Sequence, residues 1–81
     1  MTTLFNNHLV SFAKVNETDI ELSIDRNIYM LQYDSILDIT LIFDAITSEY
    51  LDEVHYLFNV ESSIQDYPNK EIILFIIENL M

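Results

Sequence analysis

Eighty-one residues with a formal net charge of −11 and 51% hydrophobic content fit one small folded domain, too short for two and too apolar for the disorder that high charge brings to a polar chain. The absence of cysteine excludes a disulfide scaffold, a thiolate zinc site and a cysteine nucleophile together. The core is expected to be thin, because a chain of this size buries only about 60% of its unfolded surface.

The first eight residues, Met1 to His8, lack the positive charge and long apolar stretch of a signal peptide. The longest apolar run, Ile72 to Ile77, is far short of the roughly 20 residues that span a bilayer. A cytoplasmic protein that does not contact membranes is therefore expected. Residues His8 to Val15 read as a weak strand, although Leu4 to Phe12 also fits a short helix. Asp19 to Asp25 alternates cleanly, with Ile20, Leu22 and Ile24 on one side, as a half-buried strand does. Ile28 to Tyr33 returns as its partner, placing Tyr29, Leu31 and Tyr33 together. Leu37 to Asp44 alternates again and predicts a further strand on its isoleucine, threonine and phenylalanine content; a helix capped by Ser35 is the rival reading.

Glycine is absent, so turns that need a positive φ must use Asn or Asp. Asn16-Glu17-Thr18, Asp25-Arg26-Asn27 and Asp34-Ser35 supply them at intervals of about nine residues, the rhythm of a meander. After Ala45 the period changes: Leu51, Val54 and Phe58 share a helical face behind a Thr47-Ser48 cap, with Glu49, Asp52 and Glu53 in the first turns. Beyond Pro68, Ile72, Ile73, Ile76 and Leu80 again fall at helical spacing, while the isoleucine run also suits a buried strand. The expected fold is α+β, one compact acidic domain over residues 1–81. A small antiparallel β-meander of three to four strands (about residues 8–43) is followed by two helices (about 48–59 and 69–80).

Chemistry-bearing patterns are sparse. Asp19, Glu21, Ser23 and Asp25 have the spacing of a calcium loop, but Ile24 and Met30 stand where that loop needs glycine and a bidentate glutamate. His55 follows Asp52 by three residues, giving two metal ligands where a tetrahedral site needs three or four. No G-x-S-x-G elbow or glycine-rich phosphate cradle is present, and no carboxylate pair is isolated among apolar residues. Neither enzyme activity, nor a metal, nor a cofactor is expected. The five tyrosines, Tyr29, Tyr33, Tyr50, Tyr56 and Tyr67, divide between partial core burial and an interface role.

Charge is the strongest signal. Fourteen acids face only Lys14, Arg26 and Lys70. Between Arg26 and Lys70, Asp34, Asp38, Asp44, Glu49, Asp52, Glu53, Glu61 and Asp66 have no basic neighbour in sequence. Such a field disfavours nucleic acid and anionic membrane and favours a basic protein partner. With Asp19, Glu21 and Asp25, these acids form the expected partner-binding surface. Strand or helix spacing holds carboxylates in rows at the scale of neighbouring phosphates. A homodimer burying part of the Ile72 to Leu80 segment is expected to lengthen that surface.

In charge and size the chain resembles the small phage-encoded DNA mimics that inhibit restriction nucleases, DNA glycosylases, nucleoid proteins or CRISPR effectors. Its twelve isoleucines and seven asparagines agree with an A/T-rich phage or bacterial source. The resemblance is one of composition and assigns no individual residue. It implies a non-enzymatic inhibitor that imitates the DNA phosphate backbone and blocks a DNA-binding host protein. The alternative is an immunity protein or antitoxin neutralising a basic toxin, for which an aromatic anchor rather than a row of acids is expected to dominate.

Overall fold

The structure, a computed structural model, describes residues 2–81. Six strands follow one another as β1 (Thr3–Phe5), β2 (His8–Lys14), β3 (Asp19–Ile24), β4 (Asn27–Asp34), β5 (Ile39–Asp44) and β6 (Tyr50–Val54), and one helix, α1 (Asn69–Asn79), closes the chain. The strands form a single sheet in sequence order, every neighbouring pair antiparallel. An uninterrupted meander of this kind needs only tight turns, and the turns are where the missing glycines are replaced. Asn6 and Asn7 take φ of 46° and 67°, the two successive positive values that a two-residue hairpin link favours. Asp25, Asp38 and Ser48 take φ of 56°, 55° and 64° at three of the other four reversals, and the β2–β3 turn over Asn16-Glu17-Thr18 closes without a positive φ.

This architecture overturns the expected meander of three to four strands followed by two helices: among the described residues there are six strands and a single helix. The segment 48–59, expected as a helix, holds the edge strand β6 and a loop. Thr47-Ser48 is a hairpin turn rather than a helix cap, with Asp44 Oδ1 accepting from the backbone N–H of Ile46 at 2.8 Å and of Thr47 at 3.0 Å. The helical spacing of Leu51 and Val54 has a different origin. The β5–β6 register shifts between Ile42 and Phe43, pairing Ile42 with Asp52 but Phe43 with Tyr50. Leu51 is the extra residue of the resulting bulge and packs against the core beside Val54, so a three-residue interval lands on one face of a strand. The short helix that Leu4 to Phe12 also fits is replaced by β1 and the start of β2, paired from Thr3 with Val10 to Phe5 with His8.

Alternation puts Val10, Ile20, Leu22, Ile24, Tyr29, Leu31, Ile42 and Val54 on one face of the sheet, all buried. The helix lays Ile72, Ile73 and Ile76, each 0% exposed, against this face, with Phe58 and Ile64 from the preceding loop completing the core. Three of the four isoleucines of the segment expected to form a dimer seam are thus buried within the monomer, and Ile77 is partly buried against the same core.

One polar side chain organises the loop. Asn69, 0% exposed, accepts at Oδ1 from the Asn59 N–H at 2.7 Å and donates through Nδ2 to the carbonyls of Asn59 at 2.8 Å and Ser63 at 3.0 Å. Its amide pairs with the Asn59 backbone much as a second strand would, fixing the chain reversal ahead of the helix. Thr40, buried on β5, ties the start of the same loop to the sheet by donating to the Tyr56 carbonyl.

Candidate functional site

Successive turns of a meander alternate between the two ends of the sheet, so the acids that build turns are sorted into two groups. At the end holding the β1–β2, β3–β4 and β5–β6 turns lie Asp25, Asp44 and Glu49. At the opposite end, holding the β2–β3 and β4–β5 turns, lie Glu17, Asp19, Asp34 and Asp38. Two concavities show which of the latter adjoin. One of about 450 Å³ is lined by Lys14, Glu17, Thr18, Phe58 and Glu61 among others; its neighbour, about 370 Å³, is lined by Thr18, Asp19, Tyr33 and Asp34. Thr18 belongs to both, so Glu61, Glu17, Asp19 and Asp34 form one continuous acidic margin. Lys14, whose Nζ is 3.6 Å from Glu17, is the one cation lining either concavity.

Local hydrogen bonding explains why these positions are acidic. Asp34 Oδ1 accepts from the N–H groups of Ile36 at 2.9 Å and Leu37 at 3.2 Å. Asp19 accepts from the Thr18 hydroxyl at 2.9 Å and the Asn16 amide at 3.2 Å. Asp38 accepts from the Tyr33 hydroxyl at 2.6 Å, which raises the phenol's pKa. Asp34 holds its turn through one oxygen and Asp19 through both, and the charge of each remains near the surface.

The other expected residues are more dispersed. Glu21 is exposed on the uncovered face of the sheet. Asp52 and Glu53 occupy alternate faces of β6, rather than sharing the turns of a helix with Glu49. Tyr50 donates to Glu53 Oε1 at 2.7 Å, and this bond, the largest cause, pushes the tyrosine pKa up to about 12. Asp66 accepts from the Ser63 N–H at 3.2 Å in the loop before the helix, apart from the margin. Glu17, which sequence reasoning left out, joins it only because the β2–β3 turn folds it toward Glu61, a proximity with no signal in local sequence. Among the described residues, no three His, Asp or Glu side chains are grouped to hold a metal ion, and no helix is long and apolar enough to cross a membrane.

At the far end, Asp25 Oδ2 lies 2.7 Å from His8 Nδ1 and Oδ1 accepts from the Leu9 N–H at 3.0 Å. The His8 hydrogen bond, then that of Leu9, holds the Asp25 carboxyl below its ordinary 3.8. Asp44 is lowered likewise by the N–H groups of Thr47 and Ile46. Carboxyls depressed on folding contribute stability that is complete above their unfolded value and lost as pH falls through the folded one. The thermal midpoint is therefore expected to drop below about pH 3.8, and the gap between the native chain and Asp44→Ala to narrow over that same interval. Thermal melts from pH 5 to pH 2 check this; a gap constant throughout would show that the Asp44 charge plays no part.

No protein-family model, curated protein or solved structure matches this chain. The functional reading therefore rests on the acidic margin.

Proposed function

We propose that the chain is a non-enzymatic inhibitor that presents the carboxylates at one end of its sheet to the phosphate-binding groove of a basic, DNA-binding protein, standing in for the DNA backbone. The supporting observation is the continuous margin of Glu61, Glu17, Asp19 and Asp34, with Lys14 its one lining cation. Adjacent strands lie about 4.8 Å apart, and turns on the same end of a meander are two strands apart, about 9.6 Å. Carboxylates held at this end of the sheet form a row of fixed anions on one margin. Turn hydrogen bonds keep Asp19 and Asp34 in place before the partner arrives, which lowers the ordering cost of binding. A groove that neutralises phosphates with Lys and Arg would meet a preformed set of anions. In this reading the chain comes from a phage and protects it from a host defence enzyme of the restriction, CRISPR or DNA-repair type.

The toxin-neutralising alternative draws support from Tyr50, 48% exposed, whose ring stands edge-on to Phe43 with centroids 5.8 Å apart. An exposed aromatic beside an acid is the anchor such a protein would use.

Amide substitutions separate the two. Asn and Gln keep a carbonyl oxygen able to hold the turns while removing the charge, so Asp19→Asn, Asp34→Asn and Glu61→Gln should fold normally. Each single change is expected to weaken binding of the captured host protein by roughly twofold to fivefold, as exposed ion pairs do, and the three together by about 10- to 100-fold. Binding that survives the triple change within a factor of two but collapses with Tyr50→Ala would favour the toxin-neutralising reading.

A further inference from the structure

The helix and the loop before it cover one face of the sheet, and the other face is uncovered. A solvated sheet face normally alternates polar residues outward. Here the register instead brings Met30 opposite Phe43 and Phe43 opposite Tyr50 across three strands, with Ile28 and Leu41 in the adjoining rows of the same face. None of these five belongs to the buried core or to the side chains packed against it; Tyr50 stands edge-on to Phe43 and is half exposed. The charges carried on these strands are all of one sign, and Arg26, in the β3–β4 turn beyond Ile28, is the nearest cation in sequence. Glu21 pairs with Met30, Glu53 with Leu41 and Asp19 with Gln32, and no Lys or Arg lies on β3, β4, β5 or β6.

From this face we infer a docking surface for a protein partner that presents apolar side chains within a rim of Lys or Arg. The inference rests on the proposed reading of a basic partner and specifies how that partner is held. Charge complementarity selects the occupant: a second copy, itself carrying −11, would set its own Asp19, Glu21 and Glu53 against these acids, whereas a basic rim neutralises them. The surface is continuous with the acidic margin, because Asp19 lies on this face and also lines the concavity it shares with Asp34. Carboxylates at the sheet end would steer and orient the partner, and burial of the aromatic centre would supply the part of the affinity that salt does not screen. DNA offers its protein no comparable apolar face, so an inhibitor with one can outcompete DNA in the same groove.

Three short helical peptides of equal length test this against the intact chain: one with leucine and lysine on opposite faces, one with serine in place of leucine, and one with glutamate in place of lysine. Affinity is measured by titration, and the site by the amide shifts of the labelled chain. The leucine–lysine peptide is expected to bind at least about tenfold more tightly than the serine–lysine peptide, the scale of burying one large apolar side chain. Its shifts should centre on Met30, Leu41 and Phe43, and the leucine–glutamate peptide should not bind. Phe43→Ser should remove the advantage, as should Tyr50→Ser, which changes an exposed position and preserves the fold. Equal binding of the two lysine peptides at the turns alone would overturn the apolar surface while leaving the proposed function standing. Binding of neither would overturn both. A dimer in sedimentation, with this face protected from exchange, would assign it to a second copy and overturn the inference.

Discussion

Asn69→Leu is expected to destabilise the fold by about 3 kcal/mol, because a buried backbone group stripped of its hydrogen-bond partner costs roughly 1–3 kcal/mol. The native side chain meets the Asn59 N–H and the carbonyls of Asn59 and Ser63 at 2.7, 2.8 and 3.0 Å. Leucine fills a similar volume and satisfies none of them. A domain of this size has on the order of 4–12 kcal/mol in total, so the loss should show as a large fall in the urea midpoint. Asn69→Asp should not rescue it, since a carboxylate has no donor for the two carbonyls and sets a charge beside them. A loss under about 1 kcal/mol for either variant would mean that water replaces the amide and that the loop is held by Phe58 and Ile64 instead.

Ile73→Ala should cost as much or more. Ile73 is 0% exposed between helix and sheet, and truncating a buried isoleucine typically costs about 2–5 kcal/mol through lost transfer energy and an unfilled cavity. Only α1 and the loop before it cover this face, and that loop's core residues Phe58 and Ile64 are already packed, so little is free to fill the space. Ile36, 92% exposed, is the internal comparison: its change to alanine should stay within about 0.5 kcal/mol. Equal effects at the two sites, measured by urea unfolding, would contradict the packing of α1 on the sheet.

The contrast between these isoleucines also shows what local sequence could reveal. Ile20, Leu22 and Ile24 alternate against Glu21 and Ser23, and that period of two forms β3 with the expected face buried. Ile72, Ile73 and Ile76 keep a helical period in a segment behind Pro68, and α1 follows. The pattern misled at residues 48–59, where a β-bulge brings Leu51 and Val54 to one side. A bulge is fixed by pairing with Ile42 and Phe43 on a neighbouring strand, which no local period records. The three residues of β1 are too few to establish any period at all. The site was legible residue by residue and not in its arrangement. Asp34 and Glu61 were identifiable as acids without basic neighbours and Asp19 as one of the alternating acids of a strand, but their alignment depends on which turns fall at the same end of the sheet. The separation of Asp52 from Glu53 onto opposite faces follows from β6 being a strand. Acid enrichment itself has a partial local cause: in a chain without glycine, Asp25 and Asp38 take the positive φ values of turns, while Asp34 and Asp44 cap them.

Competition between DNA and the captured partner shows whether the carboxylates occupy a phosphate-binding groove. The intact chain is immobilised, the host protein it retains is bound at physiological salt, and duplex DNA is titrated in while release is followed. Carboxylates that occupy a phosphate-binding groove exclude DNA from it, so duplex DNA is expected to release the partner progressively. A partner still fully retained at saturating DNA, while itself able to bind that DNA, would contradict this occupancy.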